Sequence, residues 1–195
     1  MIIIGVGVSP DTLTKEAIEA IKNASIIYGS KRAIEIASRY IKSNSNEITD
    51  YKSLHLLPSN AIILSTGDPM LSGLGKYANK KDTVIAGISS LQIVCARLKI
   101  NLTNLAIITA HGRETDIAKK EFIIELKLGK NIFLLPDKLF GVKEIIKIIK
   151  NNSNNLYDIF ICENLGMDSE RIVYGTIDNP PSNNSDLFCI MVVKI

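Results

Sequence analysis

Ser65-Thr-Gly-Asp-Pro-Met-Leu-Ser-Gly-Leu-Gly75 follows directly on the apolar run Ala61–Leu64. Four apolar residues that give way to small polar ones and a glycine read as a buried strand opening into a loop. Gly67 has no side chain, so its backbone can turn sharply or admit a close neighbour. Asp68 can accept hydrogen bonds from backbone donors in the turn, and Pro69 suits the first turn of a following helix. A strand, an exposed loop and a helix start form the place where open α/β sheets put ligands. Taken alone, the Gly-Asp-Pro signal also fits a plain strand-to-helix turn.

Towards the N-terminus, Ile2–Val8 begins as three isoleucines and continues into Gly5-Val6-Gly7-Val8-Ser9-Pro10. A continuous β-branched run fits a strand buried on both faces, hence a parallel sheet. Asp11 and Thr12 are the expected caps of a helix carrying Ala17, Ile18, Ile21 and Ala24 at helical spacing. The Gly5-x-Gly7 pair invites a dinucleotide-binding reading. Two features reject it: Pro10 stands where the third glycine belongs, and the next strand, Ser25–Tyr28, ends in Gly29-Ser30-Lys31-Arg32 with no acid placed for a ribose. A tight turn without a ligand stays open for Gly5 and Gly7. Ala33–Ile41 reads as a helix, Ser43–Asn46 as a polar break, and Glu47–Thr49 as a short strand. His55, flanked by leucines, reads as a packed histidine. Past the central loop a short helix is expected up to Ala78, then a strand over Asp82–Ala86. Gly87-Ile88-Ser89-Ser90 opens a helix over Leu91–Leu98, with the serines as caps.

The polar stretch Lys99–Asn104 is the expected domain junction, giving domains 1–102 and 103–195, each of roughly a hundred residues. Beyond it come a strand at Leu105–Thr109, the tripeptide His111-Gly112-Arg113, a helix over Ile117–Leu128 stopped by Gly129, and a strand at Asn131–Leu135. Val142–Ile149 reads as a helix and Tyr157–Cys162 as a strand delivering Glu163-Asn164-Leu165-Gly166. Arg171–Gly175 and Leu187–Val193 read as late antiparallel strands. The expected fold is therefore α/β: a mostly parallel sheet first, then an α+β mixed sheet.

Composition narrows the function. The 195 residues are 46% hydrophobic, which supplies a packed core. The net charge of +3, from 23 basic and 20 acidic residues, is too mild and too scattered for nucleic acid. Cys95, Cys162 and Cys189 are far apart in sequence and sit among apolar neighbours, as buried free thiols do. With only two histidines, a protein metal centre is not expected. No apolar run reaches membrane-spanning length and no secretory leader precedes Ile2, so cytoplasmic residence is the expectation.

The ordered set Gly5-Val6-Gly7, Tyr28-Gly29-Ser30-Lys31-Arg32, Thr66-Gly67-Asp68-Pro69 with Gly73, Gly87-Ile88-Ser89-Ser90, His111-Gly112-Arg113, and Glu163-Asn164-Leu165-Gly166 with Glu170-Arg171 spans the whole chain. It resembles the tetrapyrrole (corrin/porphyrin) methyltransferases, which use S-adenosylmethionine. Within that family the motifs are similar to those of enzymes that methylate carbon 5 of precorrin-7 on the way to the corrin of vitamin B12. The resemblance implies two α/β domains, S-adenosylmethionine in the cleft between them, a homodimer and a tetrapyrrole substrate. It places Gly67, Asp68, Met70 and Leu71 at the cofactor, joined by Gly5, Gly7, Thr66, Ser89 and Ser90. The chain departs from the family pattern at Gly7-Val8-Ser9-Pro10, where Gly-Pro-Gly-Asp is usual, and at Leu135-Pro136-Asp137, where Leu-Thr-Asp is usual.

The chemistry agrees with the residues present. A sulfonium methyl is already activated, so transfer needs positioning more than a protein nucleophile. Asp68, His111 and Arg113 are the candidate positioning residues. Corrin precursors carry many carboxylates, and Lys31, Arg32, Arg113 and Arg171 sit in motif loops where they can clamp them. Each also fits a solvated surface charge, with function favoured for Arg113. The other readings are a further methylase of the same fold (another precorrin methylase, a uroporphyrinogen methylase or a diphthine synthase) and a nucleoside-binding module without turnover. A single methyl addition at carbon 5 is expected, with a separate enzyme acting at carbon 15 and removing the carboxyl group.

Overall fold

The computed structural model describes residues 1–112 and 114–195. It divides into two compact units, Met1–Gln92 and Ile93–Ile195.

The first unit is built on a parallel sheet of β1 (Ile2–Gly5), β2 (Ile26–Gly29), β3 (Asn44–Glu47), β4 (Ile62–Ser65) and β5 (Thr83–Ile85), in the order β3-β2-β4-β1-β5. β1 lies between β4 and β5, with Ile2 opposite both Ile62 and Thr83. The isoleucine run is continuous because both faces are covered. Ile4, Ile27, Ile62 and Leu64 pack with Ala17 and Ile21 of α1 (Lys15–Lys22) and with Ala33 and Ile36 of α2 (Lys31–Ala37). Ile3 and Ile63 face the other way, onto Ile48 and Leu54.

The second unit has a mixed sheet in the order β6-β7-β10-β8-β9: β6 (Leu105–Thr109), β7 (Asn131–Leu135), β8 (Tyr157–Glu163), β9 (Arg171–Thr176) and β10 (Phe188–Lys194). β6 and β7 are parallel, and β10 runs antiparallel between β7 and β8. Phe122 of α4 (Thr115–Lys127) and Ile145 and Ile149 of α5 (Val142–Asn152) close one face over Ile132, Leu134, Ile159 and Ile190. The expected parallel-then-mixed α/β architecture is present.

Several local expectations are corrected. Thr14, not Asp11 or Thr12, caps α1, accepting from the Ala17 N–H at 3.1 Å. The Thr12 hydroxyl is occupied one turn earlier, accepting from Val8 and Ser9 N–H at 2.9 and 3.0 Å. α2 starts at Lys31 because Ser30 caps it, and it ends in a 3₁₀ turn over Ser38–Tyr40. The edge strand β3 falls mostly on the polar stretch assigned to a break and shares only Glu47 with the strand expected at Glu47–Thr49. All four of its residues are exposed, so its backbone pairing with β2 needs no apolar pattern. Pro69 starts no α-helix. The chain folds back so that Gly75 N–H donates to the Pro69 carbonyl at 2.9 Å, and only a 3₁₀ turn over Leu74–Tyr77 follows. The three cysteines are free and buried, with Cys162 directly opposite Cys189. Among the described residues no helix is long and apolar enough to cross a membrane.

Candidate functional site

β4, β1 and β5 are adjacent and parallel, so the loops that leave their carboxyl ends emerge together. The backbones of these loops touch. Gly7 and Gly67 form a reciprocal bridge, with Gly67 N–H donating to Gly7 O at 2.7 Å and Gly7 N–H to Gly67 O at 3.2 Å. A Cβ on Gly5 would stand 2.5 Å from Gly87 N and 2.7 Å from Gly67 O. A Cβ on Gly87 would stand 2.2 Å from Gly67 O. Side chains at positions 5 and 87 are thus excluded by backbone on the facing loop.

Gly67 differs from these two. Its φ is +65°, which favours glycine, yet an added Cβ would meet nothing closer than 3.8 Å. The room above Gly67 is open where the room at Gly5 and Gly87 is filled.

Asp68 ties this knot. One carboxylate oxygen accepts from Met70 N–H at 2.7 Å, within its own turn, and the other from Gly87 N–H at 3.0 Å, in the loop after β5. Four lone-pair sites on a carboxylate leave acceptor capacity beyond these two bonds. Beneath it the buried Ser65 hydroxyl accepts from Leu74 N–H at 3.2 Å. Ser89 caps α3 (Ser90–Leu98) in a reciprocal box. Its N–H and hydroxyl both donate to the Gln92 side-chain oxygen, at 2.6 and 2.7 Å. The Ser89 hydroxyl is committed to that cap, and Ser90 and Thr66 are half-buried beside it. Leu71 N–H closes the turn onto Asp68 O at 3.1 Å, and the Met70 side chain stands 68% exposed.

Also on the first unit, Arg32 donates from Nη2 to the Val8 carbonyl at 3.1 Å, and Lys31 beside it is exposed. Burial holds the Arg32 guanidinium below its ordinary pKa.

The second unit holds the remaining candidates. His111 is exposed on the turn after β6, and its carbonyl accepts from the Thr109 hydroxyl at 3.4 Å. Arg113 lies outside the described residues. Arg171 donates from Nε to Glu163 at 2.6 Å and from Nη2 to the Ser182 carbonyl at 3.2 Å. Glu163 is 2% exposed and also accepts from the N–H groups of Asn184 and Ser185, at 2.5 and 3.1 Å. Burial pushes its carboxyl up, but the bond from Arg171 and the two backbone N–H groups outweigh that and leave its pKa lowered. Glu170 accepts from Arg97 Nε at 2.6 Å and from Gly166 N–H at 2.7 Å. The Glu-Asn-Leu-Gly…Glu-Arg motif is therefore a loop clasped at both ends by its own carboxylates.

Read residue by residue, the sequence leaves Gly87, Thr12, Gln92 and Glu163 outside the site. Gly87 carried a usable signal, since it follows its strand as Gly5 and Gly67 follow theirs. Ser89-x-x-Gln92 is a capping-box pattern legible without coordinates. Among the described residues no cluster of three or more His, Cys, Asp or Glu side chains is placed to hold a metal ion.

Of the three glycine loops only the one at Gly67 leaves room for a close neighbour, because Gly5 and Gly87 are closed by each other's backbone and by Gly67 O. Beside that opening Asp68 keeps acceptor capacity beyond its two backbone bonds.

The family profile of the Tetrapyrrole (Corrin/Porphyrin) Methylases matches residues 1–181. A relative from Methanocaldococcus jannaschii, named "Probable cobalt-precorrin-7 C(5)-methyltransferase", is 37% identical over 86% of this chain and 85% of its own length. The crystal structure of the cobalamin-biosynthesis precorrin-6Y methylase from Archaeoglobus fulgidus aligns with a TM-score of 0.74 at 26% identity, covering 100% of this chain and 98% of that one. The uroporphyrin-III C-methyltransferase of Thermus thermophilus, solved with S-adenosylhomocysteine, shares the fold at a TM-score of 0.72 and 15% identity, over 97% of this chain and 90% of that one.

Proposed function

This chain belongs to the tetrapyrrole (corrin/porphyrin) methylases and is a methyltransferase of the S-adenosylmethionine-dependent kind; we propose that its substrate is precorrin-7 or cobalt-precorrin-7, methylated at carbon 5. The observation that carries the substrate is the 37% identity, over most of both chains, to the relative named for that step. The glycine knot at the carboxyl end of the first sheet is the proposed cofactor seat. Gly67 and Asp68 take the methionine end, and Gly5, Gly7, Thr66, Met70, Leu71, Ser89 and Ser90 border it. Bound S-adenosylmethionine supplies a methyl group on a sulfonium, already activated towards an electron-rich carbon. The protein's part is to hold donor and acceptor in line and to exclude water. Asp68, fixed by two backbone N–H groups, has the rigidity for that task. His111 and Arg113 join Asp68 as positioning residues, and Lys31, Arg32, Arg113 and Arg171 are assigned to the carboxylates of the substrate, which a separate enzyme modifies at carbon 15.

The test of the reaction is mass spectrometry after anaerobic incubation of the purified chain with S-adenosylmethionine and precorrin-7. One added methyl and no loss of carbon dioxide is the expected product. An unchanged precorrin-7, or methylation only of a different tetrapyrrole, overturns the assignment.

The cofactor seat has its own test. Gly67→Val introduces a branched side chain at φ +65° into the open space above the loop. The left-handed backbone costs about 1–2 kcal/mol of stability, which leaves a folded protein to titrate. Calorimetry should show S-adenosylmethionine affinity reduced at least about tenfold. Wild-type affinity in folded Gly67→Val would move the cofactor elsewhere.

A further inference from the structure

Arg32 carries a charge that the protein does not neutralise. Every other described arginine has a carboxylate: Arg39 meets Asp11, Arg97 meets Glu170, and Arg171 meets Glu163. Arg32 meets none among the described residues. Its Nη2 donates to the Val8 carbonyl, and its Nε is shut off from solvent with no partner among the described residues. Asp11, the acid of the same loop, is taken by Arg39 at 3.3 Å. A half-buried guanidinium without a counter-charge is an expense that a fold ordinarily removes by pairing or by exposure. Here no carboxylate of the described residues pairs with it, and the side chain is only partly exposed.

Position says what the charge is for. Arg32 follows β2, and Val8 lies in the loop after β1, so the guanidinium sits at the carboxyl edge of the parallel sheet. The glycine knot occupies that same edge, and Val8 follows directly on Gly7, which is bridged to Gly67. An anion bound there would lie against the loop that forms the proposed cofactor seat.

We infer that Arg32 is the anchor for one peripheral carboxylate of the tetrapyrrole substrate, which supplies the counter-charge that the protein withholds. The inference rests on the tetrapyrrole reading proposed above and deepens it. It separates Arg32 from Arg171, whose charge is already met by Glu163. One guanidinium holds both the Val8 carbonyl and the ligand, so recognition of the substrate acid is joined to the shape of the Gly7–Thr12 turn. A planar fork with several donors can serve both at once.

The test compares two stable corrins: cobyrinic acid, with free side-chain carboxylates, and cobinamide, whose side chains are amides. Arg32→Gln keeps an amide donor for the Val8 carbonyl and removes the charge. Arg32→Lys keeps the charge. Wild-type protein should prefer cobyrinic acid. Arg32→Gln should bind it about ten- to a hundredfold more weakly with cobinamide affinity unchanged, and Arg32→Lys should recover most of the loss. Wild-type affinity for cobyrinic acid in Arg32→Gln overturns the inference. So does an equal loss for both corrins, because Arg32 would then act only on the loop. The two readings fail separately. If wild type methylates precorrin-7 while Arg32→Gln keeps the acid preference, only the anchor falls. If wild type leaves precorrin-7 unmethylated while Arg32→Gln loses that preference, only the carbon-5 assignment falls.

Discussion

Gly87→Ala is expected to slow methyl transfer on the order of a hundredfold while leaving the second unit folded. The added methyl would lie 2.2 Å from Gly67 O, 2.7 Å from Gly5 C and 2.8 Å from Gly5 Cα. All three atoms are backbone, so no side chain can swing aside. The loops after β4, β1 and β5 must part, and overpacking of this kind costs about 1–3 kcal/mol or more. Parting them also strains the Asp68 bond to Gly87 N–H and the Gly7–Gly67 bridge. Displacements of about 1 Å at a positioning site cost on the order of a hundredfold in rate. Single-turnover kinetics with saturating S-adenosylmethionine should show that loss, and titration should show weakened cofactor binding. Circular dichroism should report retained secondary structure. Near-normal turnover would mean that the knot shapes the sheet edge without serving the reaction.

Glu163→Ala should have the largest effect on stability. The carboxylate is 2% exposed and answers Arg171 Nε and the N–H groups of Asn184 and Ser185. Its removal leaves three donors without an acceptor in a half-buried setting. Deleting one partner of a buried, hydrogen-bonded pair costs about 3 kcal/mol or more. For a unit of this size that lowers the melting temperature by roughly 10–20 °C. Glu163→Gln should fall between the two, since its amide oxygen still accepts. The pH dependence has a definite sign. The folded pKa of Glu163 lies below its ordinary value, so its contribution is fully present above the unfolded value, about 4.3. It is lost as pH falls through the lower folded value. Wild-type stability should therefore fall on acidification below that point more steeply than Glu163→Gln stability does. Parallel acid-denaturation curves for the two proteins would remove Glu163 from this role.

Periods and breakers within about ten residues made much of this fold legible. The unbroken Ile2–Ile4 run announced a strand buried on both faces, and it is one, with Ile4 under α1 and α2 and Ile3 on the opposite side. The strand Leu105–Thr109 and the strand Asn131–Leu135 fall where alternation and length put them. Asp68 accepting from Met70 N–H is local turn chemistry, readable two residues away. The misplaced elements are those in which local chemistry competes with distant backbone. β3 is polar and exposed, and it exists because β2 offers its edge. Thr12 and Thr14 are equally good caps by type, and the Gly7–Ser9 turn claims the first.

The site divides the same way. Residue type and order were enough to mark Gly5, Gly7, Gly67 and Gly87 as loop glycines and to identify the family. That Gly5 and Gly87 are closed by facing backbone while Gly67 opens outward depends on three parallel strands meeting in the order β4-β1-β5. Likewise Arg32, Arg39, Arg97 and Arg171 are alike as letters, and folding alone pairs three of them and leaves Arg32 without a carboxylate among the described residues. Backbone conformation is set by neighbours along the chain, so it is written locally. Charge neutralisation and close approach are set by neighbours in space, and those exist only once the sheets have formed.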